Sequence, residues 1–350
     1  MPKVTVLMPV YNGEKYLREA IDSILNQTFQ DFEFLIMNDG SSDRSLEIIR
    51  SYNDNRIKLF DSDQNKGHVY HLNYGIDIAS GKYIVRMDAD DISLPSRIEK
   101  QVTFMDNNPD IGVCGTWYEI IDSNVCCKNP VDDVSIRLSL LTNSALGHPT
   151  VILRSKVLSD FNLHYDPLLV PAEDYWFWVN LSRYSKLANL PEILLQYRVH
   201  SNQISSSRKS DQQQKAQLIR NLQIEMLLER SITIDEQDYH SLLFQERGIY
   251  DINKFVNVRL WVDTLINKNF LSRKYPHSDF SNILTSNLKR LYRNSYFIEI
   301  SKQKRYNFKI LTHFFFSHSQ PFIYFSNNER LKFIIKCLIG YRIYIAGNLE

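Results

Sequence analysis

The sequence predicts an α/β protein with a mostly parallel, doubly wound sheet in its first two hundred residues and a helical region after it. Two observations carry this. Short apolar runs alternate with segments of helical apolar spacing, and several runs end in polar or acidic residues, as strands do at the ligand edge of a parallel sheet. Beyond the stretch Ser201–Gln214, where Ser, Gln, Lys and Asp displace apolar residues, only helical spacing remains.

The expected elements follow in order. Val4–Met8 is an apolar run closed by Pro9, read as a buried strand. Leu17, Ala20, Ile21, Ile24 and Leu25 recur on one helical face. Phe32–Met37 reads as a second strand. Asp39-Gly40-Ser41-Ser42-Asp43 then turns into a helix carrying Leu46, Ile48 and Ile49, and Ile57–Phe60 reads as a third strand. His68–Ala79 is an expected helix in spite of Gly75, and Lys82–Met87 a strand that runs into Asp88-Ala89-Asp90-Asp91. Pro95 sits where a first-turn proline starts a helix, with Ile98, Val102 and Met105 as its apolar face. Gly112–Ile121, Thr150–Leu153 and Leu194–His200 are expected strands, Asp174–Tyr184 an aromatic-rich helix, and Leu218–Leu228 a helical start to the remainder. The boundary is placed so that residues 1–205 form one domain and residues 206–350 a mainly helical second region.

Composition bounds the function. Hydrophobic content of 43% and charged content of 23% are ordinary globular values. The net charge of +1 gives no reason to expect a nucleic-acid partner. Its distribution is uneven. From Ile252 onward there are sixteen Lys/Arg against five Asp/Glu, a surplus of +11, so residues 1–251 carry −10. The C-terminal part is therefore expected to face an anionic surface, or to be a solvated basic face, while the N-terminal part holds acidic chemistry. Four cysteines, two of them adjacent at Cys126-Cys127, match neither a disulfide framework nor a zinc site, and suit reduced thiols in the cytoplasm. The longest apolar stretch, Phe333–Ala346, is broken by Lys336 and Arg342, so a soluble or peripheral protein is expected.

Chemistry concentrates in a few places. Three carboxylates within Asp88–Asp91 repel one another unless a cation or protonation relieves them, which suits a hard divalent ion shared with phosphate oxygens. A polar turn capping the next helix is the plainer reading. Asp39, at the end of the second strand, either accepts the imide hydrogen of uracil or caps its own turn, and Tyr11 either stacks on a base or packs a helix start. Pro9–Gly13 lacks the glycine spacing of a dinucleotide loop, which counts against a nicotinamide-dependent oxidoreductase. Glu173-Asp174 precede Tyr175-Trp176-Phe177-Trp178. A carboxylate beside bulky aromatics is partly desolvated and suits a general base, although a helix N-cap explains the pair too. His148 and His200 are individually unremarkable, since a lone His is more often structural than a ligand, and His200, following Tyr197-Arg198-Val199, gains interest only as a partner of the acidic cluster.

In order, Pro9-Val10-Tyr11-Asn12-Gly13, Asn38-Asp39-Gly40-Ser41-Ser42-Asp43, Asn65-Lys66-Gly67, Asp88-Ala89-Asp90-Asp91, Glu173-Asp174 and Tyr197-Arg198-Val199-His200 resemble glycosyltransferase family two, inverting enzymes of GT-A fold. The stretch from Ala172 to Ser206 further resembles bacterial lipooligosaccharide β-1,3-N-acetylhexosaminyltransferases. The resemblance implies Asp174 as base, with the donor nucleotide sugar held by Pro9, Tyr11, Asn12, Asp39, Asn65, Lys66, Arg86, Asp88 and Ala89. It implies Asp90 and His200, with Asp88 as a further candidate, as ligands of Mn²⁺ or Mg²⁺, and Glu173, Trp176 and His148 beside the acceptor or sugar. Expected partners are a UDP-sugar donor and a glycan or glycolipid acceptor, with GlcNAc or GalNAc transferred. Peripheral inner-membrane association through the basic C-terminal region and a homodimer are the expected assemblies. Asn38 departs from the family, where a second Asp is common, and His148-Pro149-Thr150 departs from the hexosaminyltransferases. Rival readings are a UDP-glucose or UDP-galactose transferase of capsule or O-antigen synthesis, a sugar-nucleotide pyrophosphorylase, whose Gly-rich phosphate loop Pro9–Gly13 lacks, and a non-catalytic sugar-nucleotide-binding protein.

Overall fold

The structure, a computed structural model, describes residues 1–123, 125–200, 203, 208–244, 248, 254–300, 308–317 and 321–347. The chain divides into two compact units, Met1–Ile219 and Arg220–Glu350. The first extends past residue 205 because the helix Lys209–Leu228 begins against it, with the Gln212 amide donating to the Pro171 carbonyl at 3.1 Å.

The first unit contains β1 (Val4–Val10), α1 (Leu17–Leu25), β2 (Phe32–Asn38), α2 (Ser45–Arg50), β3 (Ile57–Asp61), α3 (His68–Ile78), β4 (Tyr83–Arg86), β5 (Ile92–Ser93) and α4 (Arg97–Asn107). It continues with β6 (Ile111–Ile120), β7 (Cys126–Cys127), α5 (Asp133–Ser139), β8 (Ile152–Arg154), α6 (Ser155–Asp160), α7 (Glu173–Leu181) and β9 (Lys186–Tyr197). One nine-stranded sheet runs β3-β2-β1-β4-β8-β6-β9-β5, with β7 on β6. The β3-β2-β1-β4 half is parallel, as expected. The other half is mixed, since β8 is antiparallel to both β4 and β6 while β9 is parallel to β6.

Apolar spacing placed the helical faces correctly. Leu17, Ala20, Ile21 and Ile24 of α1, and Ile98, Val102 and Met105 of α4, are buried in one core with Val4, Val6 and Met8. Several boundaries differ from the sequence reading: the helix expected over Asp174–Tyr184 runs Glu173–Leu181, the one expected from Leu218 begins at Lys209, and four more concern strands or prolines. β1 continues through Pro9, because β4 pairs with it only as far as Leu7 and leaves one side of Pro9 without a ladder neighbour that needs its missing N–H. Pro95 lies ahead of α4 in a turn, where its carbonyl accepts from Thr28 N–H at 2.8 Å. Pro149 opens a 3₁₀ turn over His148–Thr150, so β8 starts only at Ile152. The strand expected at Leu194–His200 is the end of a longer one, β9, whose pairing with β6 slips on either side of Trp117, between Thr116 and Tyr118.

Register fixes where the chemistry lies. Val10 pairs with Asn38 and Leu7 with Arg86, so the chain leaves β1, β2 and β4 at one sheet edge, carrying Tyr11, Asp39 and Asp88 respectively. Gly40 turns the chain there with φ +66°, and a Cβ would come within 2.7 Å of the Gln64 backbone, so glycine is required.

The second unit is helical among its described residues, with helices Ile234–Phe244, Lys254–Ser272, His277–Arg293, Phe308–Phe316 and Asn327–Gly347. Phe255, Trp261, Phe280, Tyr292, Tyr296, Phe314 and Phe333 build its core. The helix Asn327–Gly347 buries Phe333 and Cys337 but leaves Leu331, Ile335, Leu338 and Ile339 at 56%, 46%, 46% and 53% exposure. That spacing of four, three and one is a single stripe on the opposite face. Among the described residues no helix is long and apolar enough to cross a membrane.

Candidate active site

A cavity of about 980 Å³ opens at the carboxyl edge of β1, β2 and β4. It is lined by Pro9, Tyr11 and Asp39, by Arg86, Asp88 and Asp90, and by His148, Glu173, Asp174 and His200. Asn12, Asn65 and Ala89 also line it. Of the residues singled out in the sequence, Lys66 and Trp176 do not. The Lys66 ammonium sits over the Tyr70 ring at 4.7 Å, and Trp176 is half-buried on α7.

The donor edge is tightly tied. Asp39 is buried, and its Oδ1 accepts from Lys66 N–H at 2.6 Å and from His71 Nε2 at 2.8 Å, while Oδ2 accepts from Gly67 N–H at 3.0 Å. It thus anchors the loop before α3, and a second lone pair on Oδ2 remains for a ligand. The Asn12 side-chain carbonyl accepts from Ser42 N–H at 2.8 Å, and its own N–H donates to Ser41 Oγ at 3.0 Å. Asn12 therefore braces the two loops against each other, leaving Tyr11 exposed at the rim.

The acidic loop is close-set. Ligand oxygens of Asp88, Asp90 and Asp91 lie within 4.8 Å of one another. Burial, and then the charge of Asp88, raises the proton affinity of Asp90, and the same causes raise that of Asp91 well above the carboxylate range. A cation placed between them relieves that repulsion, so the residues present fit a hard divalent ion. Asp88 pairs with buried Arg86. Asp90 Oδ2 accepts from His200 Nε2 at 2.9 Å. Asp91 is fully buried and accepts from Arg198 N–H at 2.9 Å, so it fastens the loop from behind. Arg198 donates further to the Asp90 carbonyl at 2.8 Å and to Glu19 at 2.6 Å, and lies over the Tyr16 ring at 4.2 Å. Buried Arg97 donates to the Arg86 carbonyl at 2.8 Å, and desolvation pulls its guanidinium down to about 9.

Glu173 and Asp174 begin α7. Burial, and then the neighbouring Glu173 charge, push Asp174 up to about 7, against the lowering pull of its amide hydrogen bonds and Arg86. Glu173 is buried, with Oε1 accepting from His68 Nε2 at 2.6 Å. His148 Nε2 meets the Tyr165 hydroxyl at 3.0 Å, and burial holds the imidazole well below its usual proton affinity.

Sequence reading missed His68, His71 and Arg198 as members of the site. Arg198 stood within a recognised motif, but its contacts to Asp90 and Asp91 span more than a hundred positions. The lining by Tyr118, Asn129, Asn143 and Ser144 carried no local signal either.

These geometric findings agree with comparison to known proteins. Residues 5–145 match the model of Glycosyl transferase family 2. An uncharacterized glycosyltransferase of Haemophilus influenzae is 37% identical over 267 residues, covering 72% of this chain and 82% of that protein. A UDP-Glc:alpha-D-GlcNAc-diphosphoundecaprenol beta-1,3-glucosyltransferase of Escherichia coli is 32% identical over 208 residues, covering 59% of this chain and 80% of its own. In fold, S. aureus TarS in complex with UDP-GlcNAc superposes with a TM-score of 0.57 at 18% identity, covering 86% of this chain and 92% of that one. An acidic loop at a parallel sheet edge, Asp174 in the same cavity, and kinship over most of two chains lead to one assignment: the chain belongs to glycosyl transferase family 2.

Proposed function

We propose that the protein is an inverting, metal-assisted transferase that moves a hexosyl group, GlcNAc or GalNAc, from a UDP-sugar to a hydroxyl of a cell-surface glycan acceptor of lipooligosaccharide or capsule type. The observation that carries this is Asp174, pushed up to about 7, in one cavity with the Asp88–Asp91 loop. Asp39 and Tyr11 take the uracil, Asn65 and Arg86 line the diphosphate path, and Glu173 and His148 stand beside the sugar. Asp174 accepts the proton of the acceptor hydroxyl as its oxygen attacks the anomeric carbon from the face opposite UDP. The new glycosidic bond forms as the bond to the diphosphate oxygen breaks, giving inversion and free UDP. Asp90 and His200, with Asp88, would hold Mn²⁺ or Mg²⁺, which neutralises charge on the departing diphosphate.

A second reading, transfer of glucose from UDP-glucose, is favoured by one observation, the similarity to the E. coli glucosyltransferase. The test is UDP release across UDP-GlcNAc, UDP-GalNAc, UDP-glucose and UDP-galactose with Mn²⁺ and glycolipid acceptors. One sugar should exceed the others by at least about tenfold, since a site that hydrogen-bonds a hydroxyl rejects analogues strongly. No release with any of them would end the proposal.

The same reading places the enzyme at the cytoplasmic face of the inner membrane, held by its C-terminal region. The exposed stripe Leu331, Ile335, Leu338 and Ile339, flanked by exposed Lys332 and Lys336, and the +11 surplus support it. Wild type should sediment with phosphatidylglycerol vesicles and not with phosphatidylcholine ones, and Leu331→Ser/Ile335→Ser should release it. Equal partitioning of the two proteins would leave the stripe as a contact between copies of the chain.

A further inference from the structure

We propose that His71 sets the base specificity of the donor site. By occupying one oxygen of Asp39 it leaves that carboxylate a single free acceptor position, which suits the lone imide N–H of uracil and not the paired donors of guanine. This rests on the reading of Asp39 and Tyr11 as the nucleobase contacts.

A carboxylate offers about four acceptor positions, two on each oxygen. On Asp39, Oδ1 accepts from Lys66 N–H at 2.6 Å and from His71 Nε2 at 2.8 Å, so both of its positions are filled. Oδ2 accepts from Gly67 N–H at 3.0 Å, a hydrogen shared with Asn65 Oδ1 at 3.1 Å, and keeps one position. Asp39, Asn65 and Gly67 line the cavity, whereas His71, on α3, does not. A base that reaches Asp39 from the cavity meets that one acceptor.

The imidazole serves this contact. Its carboxylate partner carries no hydrogen, so Nε2 donates. His71 is 1% exposed, and its Nδ1 is buried with no hydrogen-bond partner. The Tyr70 ring meets it edge-on at 5.2 Å. Burying an unpaired ring nitrogen costs stability, and an apolar side chain would fill the place without that cost. The loop before α3 already hangs on Asp39 through two backbone amides, so anchoring it does not call for a third donor. What the third donor changes is the number of acceptor positions left.

Base chemistry turns that number into selectivity. Uracil carries one imide N–H between two carbonyl oxygens and needs one acceptor. Guanine carries a ring N–H beside an amino group, a pair of donors matched by both oxygens of a carboxylate. With one oxygen saturated, the amino group of guanine loses its acceptor, and a donor left unpaired in a buried site is strongly disfavoured. Cytosine places an acceptor where uracil has its N–H, facing the carboxylate. Stacking on Tyr11 tolerates any base and does not separate the three.

The test is calorimetric titration of UDP, GDP and CDP, each with Mn²⁺, into the full-length protein. Wild type should bind UDP at least about tenfold more tightly than GDP or CDP, and GDP bound as tightly as UDP overturns the proposal. His71→Leu, which frees a position on Oδ1, should lower the UDP-to-GDP affinity ratio by about tenfold and the UDP-to-CDP ratio by less. His71→Gln, whose amide N–H reaches as far as Nε2, should keep both ratios. A structural role alone would weaken the three nucleotides alike. Ratios in His71→Leu that stay at wild-type values, or that fall equally, overturn the proposal, as does a His71→Gln ratio as low as that of His71→Leu. Thermal midpoints report the fold, and if the leucine variant is unfolded, His71→Asn, one methylene shorter than glutamine, is read in its place. Asp39→Asn belongs in the series: with its oxygen held by His71 and Lys66 N–H, it presents a donor and should weaken UDP. Unchanged UDP affinity there removes Asp39 as the base contact, whereas weakened UDP with unmoved His71→Leu ratios removes only the role of His71.

Discussion

Asp174→Asn should lower kcat for transfer by about 10²–10⁴-fold, the usual worth of a positioned base, with UDP-sugar affinity nearly unchanged. Asparagine keeps the shape of the side chain but cannot take the acceptor's proton. Initial rates of glycoside formation, with donor affinity measured separately, check this, and a variant that retains wild-type turnover rejects Asp174 as base. The same substitution has a thermodynamic signature. Asp174 is pushed up to about 7 in the folded protein from an ordinary value of 3.8. Between those values the folded state binds more protons than the unfolded one, so stability falls as pH rises through that window. Asparagine has no proton to lose. Asp174→Asn should therefore raise the thermal midpoint relative to wild type more at pH 8 than at pH 4, and a gain that does not grow with pH would count against the buried, raised carboxyl.

The second large effect is expected at the acidic loop. Chelation with excess EDTA should abolish turnover, and Asp90→Ala should cut it by about 10²–10⁴-fold, equivalent to several kcal/mol of lost charge stabilisation. His200→Ala should weaken Mn²⁺ affinity in the same direction. Paramagnetic titration of Mn²⁺ into wild type and the two variants, in the presence of UDP, reads the affinity directly. Full activity in EDTA would show that the three close carboxylates serve the loop's architecture and not a cation. Asp91→Asn should behave differently, because Asp91 is fully buried and accepts from Arg198 N–H, so its loss falls on the loop's fastening.

The parallel half of the sheet was legible in the sequence because strands buried on both faces are written as near-continuous apolar runs, as in Phe34–Met37 of β2. The helices α1 and α4 were legible because one face of each carries the core. The mixed half was legible in part: strands were expected where β6, β8 and the end of β9 lie, but not their antiparallel pairing, and Ile92–Ser93, two residues long, is too short for any period to declare itself. Of the candidate site, the residues that sit in strand-end motifs were picked out, as Asp39 and Asp90, which line the cavity. The partners of those residues were not, since pairing is a property of the fold: His71 reaches Asp39 across 32 positions and His68 reaches Glu173 across 105. Trp176 shows the opposite error. Aromatic richness around Glu173-Asp174 drew attention to it, yet on α7 it is Glu173 and Asp174, at the helix start, that line the cavity.

Arg198 has a consequence for biosynthesis. Its backbone and side chain grip Asp91, Asp90 and Glu19, so the acidic loop is clasped by a segment made more than a hundred residues later. A nascent chain that has emerged as far as residue 150 has β1 to β4 and the loop itself, but neither the clasp nor Glu173, Asp174 and His200. Such a chain holds three close carboxylates, of which Asp88 has its partner Arg86 while Asp90 and Asp91 still lack His200 and Arg198. The stretch that matches the family model, residues 5–145, is for the same reason half an enzyme. The clasp on the acidic loop and the carboxylates of α7 are thus contributed by the later segment, in which β9 lies beside β6 and Arg198 follows its end.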